Sequence, residues 1–165
     1  MDPVDFHDFI IKPTLDQLNL DQPGASFLLL GTALVESNLQ RVRQVGGGPA
    51  LGVFQMEPAT HDDIWENWLP RRAELARDLL RLSADWPPGA TQMVANLQYA
   101  TAMARCLYRR RPEPLPGPLD IPAMALYWKR YWNTFQPEQT HEYVAGQLQR
   151  FEHRFPAELL EREGG

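Results

Sequence analysis

Glu36 is the side chain best placed to do chemistry in this sequence. It closes the apolar run Phe27-Leu28-Leu29-Leu30-Gly31-Thr32-Ala33-Leu34-Val35. A carboxyl group at the end of a buried helix is partly stripped of water. Desolvation disfavours its charged form and raises its pKa. An acid still protonated near neutral pH can donate a proton to a leaving oxygen, which is general-acid work. Ser37 follows it directly, and Gln55 comes 19 positions after it, inside Gly48-Pro49-Ala50-Leu51-Gly52-Val53-Phe54-Gln55-Met56-Glu57-Pro58-Ala59-Thr60. Other reactive residue types are scattered. His61 and His141 have no second ligand at metal spacing, and the single Cys106 has no evident base or metal partner. No metal site and no cofactor is expected, and no phosphate-binding loop, dinucleotide fingerprint or Ser-His-Asp context occurs.

The elements that must position these residues read mainly as helices. Val4 to Ile11 is amphipathic and is expected to stop before Pro13, with another turn or two from Thr14 to Leu20. Ala25 to Leu39 is apolar nearly all round, as a helix in the middle of a domain should be. Gly46-Gly47-Gly48-Pro49 must be loop, and it leads into a short extended or β segment near residues 52–56. Thr60 is expected to cap a helix that carries Asp62 and Asp63 in its first turn, where both favour the helix dipole. Helices follow over Arg71–Leu82 and Gln92–Arg110. Four prolines between Arg111 and Pro118 then impose an extended loop. Asp120 should cap a helix through Trp132, and a last helix should run from about Pro137 to Phe155. From Pro156 onward the chain reads as a fraying polar tail.

Composition narrows the classes. The chain has 165 residues, 44% hydrophobic and 22% charged, which suits one globular domain and excludes disordered and fibrous readings. The net charge of -5 argues against a bulk electrostatic grip on nucleic acid. A run at Arg109-Arg110-Arg111 fits a solvated helix C-terminus. The longest apolar run is too short to cross a bilayer. The acidic N-terminus carries no export signal, so synthesis as a soluble cytoplasmic chain is expected.

The segment from Glu36 to Thr60 resembles the lytic transglycosylase and goose-type lysozyme superfamily. Glu36-Ser37 matches its Glu-Ser pair. Ala50, Gly52, Gln55 and Pro58-Ala59-Thr60 match its Gly-Ala-x-Gly-Leu-Met-Gln segment and the Pro-x-Thr that follows, with Val53-Phe54 in place of Leu-Met. Asn96-Leu97 fits a third element, with Ala100 in place of glycine. Leu126-Tyr127-Trp128 stands where the family has Ala-Tyr-Asn, so Trp128 replaces the asparagine. The whole chain is also similar to small proteins of tailed bacteriophages.

The resemblance implies a single lysozyme-like domain over residues 25–155, with an N-terminal helical extension at 1–24 and the polar tail at 156–165. It implies that Glu36 protonates the glycosidic oxygen between N-acetylmuramic acid and N-acetylglucosamine in peptidoglycan glycan strands, then acts as base on the muramic 6-hydroxyl. Ser37 would orient Glu36, Gly52 and Gln55 would line the sugar cleft, and Tyr127 would bond near Glu36 from the opposite wall. A hydrolase would need a second carboxylate to position water, and Glu57 is the candidate. Trp65, Trp68, Trp86, Trp128 and Trp132 offer sugar-stacking surfaces, of which one or two at most should reach a cleft. In a phage setting, the protein would reach the wall through a holin-dependent lesion or aboard the virion. The alternative is a virion or interaction protein that keeps the fold without catalysis.

Overall fold

The computed structural model describes residues 1–165. It is mainly α, with no sheet. The helices are α1 (Pro3–Phe6), α2 (Lys12–Leu18), α3 (Ala25–Ser37), α4 (Pro58–Asp63), α5 (Ala73–Leu82), α6 (Leu97–Arg109), α7 (Ile121–Trp128), α8 (His141–Arg154) and α9 (Ala157–Gly164). No helix is long and apolar enough to cross a membrane.

The apolar α3 is the axis of the molecule, and α6, α7 and α8 pack around it. Every residue from Phe27 to Val35 is buried, which is why the run is apolar on all sides. Gly31 lets α8 approach closely: a Cβ there would lie 2.1 Å from the Phe151 ring. Thr32 turns a polar group into this core, where its hydroxyl lies 2.7 Å from that of Tyr108 on α6.

Several boundaries differ from the sequence expectation. Pro13 does not stop the first helix. A π-helical turn over His7–Ile11 joins α1 to α2, with the Lys12 N–H bonding to His7 O. The change of register lets the chain pass a residue that has no N–H to give. The helix after the hairpin begins at Pro58, with Glu57 rather than Thr60 at the cap position. Proline suits that first turn because its missing donor would be unpaired anyway. The long helix expected over Gln92–Arg110 breaks instead. A 3-10 turn covers Ala90–Val94, and the Asn96 side chain then caps α6 by accepting from Tyr99 N. Asp120 caps α7 as expected, accepting from Ala123 N.

The chain ends belong to the same core as the centre. Phe6, Ile11, Leu15 and Leu18 join one cluster of 37 buried residues that also contains Phe155 and Leu159. Residues 1–24 are helical and share this core, and 156–165 is no loose tail. Its helix α9 buries Leu159 and sends Arg162 to Asp8 in a bidentate pair at 2.8 and 2.7 Å. Two buried histidines are satisfied locally. His7 lies between Asp8 and the Ser26 hydroxyl, and His61 between Asp62 and the Tyr99 hydroxyl.

Candidate active site

The C-terminus of α3 meets a tight hairpin to form the site. The expected extended segment is a pair of reciprocal bonds, Leu51 N to Met56 O at 3.0 Å and Met56 N to Leu51 O at 3.1 Å. Isolated bridges here replace any strand, and Gly52 to Gln55 make the turn between them. Gly52 has φ +72°, and a Cβ on it would sit 2.4 Å from Met93 O. Only glycine meets both demands. Gln55 also has positive φ, and its amide donates to Gly52 O at 2.8 Å, which fixes the turn from within.

Ser37 fastens this hairpin to the helix. Its hydroxyl donates to Val53 O at 2.7 Å and accepts from Leu39 N at 3.1 Å. It has no bond to Glu36, so the orienting role implied for it is corrected to a structural one. Arg154 of α8 donates to Leu34 O at 2.8 Å and satisfies a helix-end carbonyl.

An open cleft of about 630 Å³ lies where these pieces meet, with Glu36, Gln55 and Glu57 among its lining. Arg41, Gln44 and Val45 line it from the glycine-rich loop side. Trp132, Asn133, Thr134 and Gln136 form a wall that follows α7. Lys129 braces that wall. It is fully buried, and its ammonium donates to Asn133 Oδ1 at 2.6 Å and Gln139 Oε1 at 2.7 Å. Lys129 directly follows the apolar α7, and its partners lie in a segment with no periodicity.

Burial pushes the half-buried Glu36 carboxyl up from its ordinary 4.5 to about 7. The negative end of the α3 dipole acts in the same direction. Opposing both is one bond: the Trp128 indole N–H donates to Glu36 Oε1 at 3.0 Å, which favours the anion. No cation and no second carboxylate bonds to Glu36.

Tyr127 does not face Glu36. Its hydroxyl donates to Glu113 O at 3.0 Å, and its ring packs edge-on against Tyr131 at 4.6 Å, so it lines a different pocket. Adjacent helix residues point about 100° apart, so the neighbouring Trp128 takes the place opposite Glu36. Trp128 is 2% exposed. It forms part of the support beneath the carboxyl and leaves the cleft open. Of the other tryptophans only Trp132 reaches the cleft: Trp65 bonds to the Tyr99 hydroxyl, Trp68 lies under Arg72, and Trp86 is exposed. Glu57 is exposed on the cleft wall. Asp62 and Asp63 are engaged elsewhere, with His61 and Arg110 respectively. Asn96 is occupied in capping α6.

Fold and site together define a mainly α, single-domain protein with one desolvated carboxylic acid in an open polar cleft. Comparison with family models, with curated proteins and with solved structures gives no match.

Proposed function

We propose that the protein is a peptidoglycan-cleaving enzyme of lytic transglycosylase type, acting on the bond between N-acetylmuramic acid and N-acetylglucosamine. The observation that carries this reading is the Glu36 carboxyl, raised to about 7 in a cleft it shares with Gln55. Such an acid is half protonated near neutrality, so it can give a proton and take one back. Its proton passes to the bridging oxygen as the bond from the muramic anomeric carbon breaks. The carboxylate then removes the proton of the muramic 6-hydroxyl as that oxygen bonds to the same carbon. The acid is regenerated, a 1,6-anhydro end is left, and no water is consumed. One carboxylate suffices, in keeping with the absence of any acid paired to Glu36.

The test is release of soluble fragments from purified peptidoglycan by the wild type, Glu36→Gln and Glu57→Gln. Glu36→Gln should fall by about a hundredfold or more, and Glu57→Gln should stay close to wild type. A large loss in Glu57→Gln would instead indicate an inverting muramidase. A second reading rests on the Trp128 bond and the displaced Tyr127, which leave the cleft short of groups that the resemblance implies. On it, the protein is a non-catalytic lysozyme-like component of a virion. Binding to glycan strands without fragment release would favour that reading.

A further inference from the structure

A second pocket, of about 360 Å³, collects three arginines, Arg105, Arg109 and Arg111, around Tyr127 and Gln22. Arg105 is 2% exposed. Its Nε donates to Leu20 O at 3.0 Å and its Nη2 to Gln22 Oε1 at 2.7 Å. Both acceptors are neutral, so the buried cation has no counter-ion. Asp21, whose charge reaches it, is already held by Lys12. Burying an unpaired guanidinium is strongly unfavourable, and the neighbouring Arg109 charge adds repulsion to the desolvation of Arg105.

The surroundings increase the imbalance. Arg109 lies one helical turn beyond Arg105, on the same face of α6, and forms no ion pair. Arg111 has a buried Nε with no partner. Glu113 is the only carboxylate lining the pocket, and it pairs with none of the three arginines. In a chain of net charge -5 this is a local concentration of the opposite sign. Buried Arg105, half-buried Arg111 and exposed Arg109 line the same pocket, so the three cations run from the core to the surface. A pocket of this volume suits a small ligand.

We propose that this pocket binds a small ligand through an oxyanion group, a phosphate or a carboxylate. Guanidinium forks match both groups and form charge-assisted bonds with either. The site is separate from the cleft at Glu36 and does not depend on the reaction proposed there.

The experiment is calorimetric titration of the full chain with inorganic phosphate, with glycerol phosphate and with N-acetylalanine, each against sodium chloride at equal ionic strength. Saturable binding of either phosphate probe alone assigns the group as phosphate, and binding of N-acetylalanine alone assigns it as carboxylate. The double variant Arg109→Gln/Arg111→Gln keeps the buried framework and should weaken binding about tenfold or more. Arg105→Met should abolish binding and raise the melting temperature of the unliganded protein, because it removes an unpaired buried charge. No saturable heat with any probe would overturn the proposal. So would binding that survives unchanged in both variants.

Discussion

Replacing Glu36 with glutamine should stabilise the protein at alkaline pH and leave its stability unchanged in acid. The carboxyl ionises at its ordinary 4.5 in the unfolded chain and at about 7 in the folded one. Below the unfolded value both states hold the proton, and the native environment carries no penalty. As pH rises, the unfolded chain ionises first and stability falls. The loss is complete once pH has passed through the folded pKa. Each unit of displacement is worth about 1.4 kcal/mol, so the full loss approaches about 3 kcal/mol. Water in the open cleft screens a half-buried group and reduces this to about 2 kcal/mol. Glutamine stays neutral throughout and keeps an oxygen to accept the Trp128 N–H. For a chain of this length, the variant should melt about 4–8 °C above wild type near pH 8. Near pH 4 the two should coincide to within about 1 °C. Calorimetry at both pH values decides it. An equal or lower melting temperature for Glu36→Gln near pH 8 would refute the reasoning, because it would mean that the anion has a native partner.

Three further substitutions probe the parts around that carboxyl. Trp128→Phe removes the one bond that favours the Glu36 anion. Glu36 should then titrate higher, and the alkaline fall of kcat/KM, expected near pH 7 in the wild type, should move to higher pH in a pH–rate profile. Gly52→Ala forces a side chain into positive φ and against Met93 O, so urea denaturation should show a loss of about 3 kcal/mol. Ser37→Ala leaves the Val53 carbonyl without its side-chain donor and should cost about 1–3 kcal/mol. Its fragment release should fall far less than that of Glu36→Gln, since Ser37 holds the hairpin rather than the acid.

Much of the helical architecture was legible because it is local. The all-round apolar α3 announces a central helix, and Asp120 announces its own cap. What failed depends on distant partners or on register. The segment after Pro156 looks polar on its own, and only the burial of Leu159 and the pairing of Arg162 with Asp8 order it. Pro13 looks like a stop because a π turn has no marker in composition. At the site, Glu36 and Gln55 were readable because one ends a helix and the other sits in a turn tied to it through Ser37. Tyr127 was misplaced by a single step along α7. A motif fixes residue order, but rotation of the helix decides which of two adjacent aromatic residues meets the acid.

The claim that Glu36 serves as both acid and base is tested most directly by the chain ends it leaves. Peptidoglycan digested in heavy-oxygen water and analysed by mass spectrometry should yield 1,6-anhydromuramic ends without incorporated heavy oxygen, and Glu36→Gln should yield none. Reducing ends carrying heavy oxygen would contradict the single-carboxylate mechanism, and a digest with no new ends across the pH range would contradict catalysis itself.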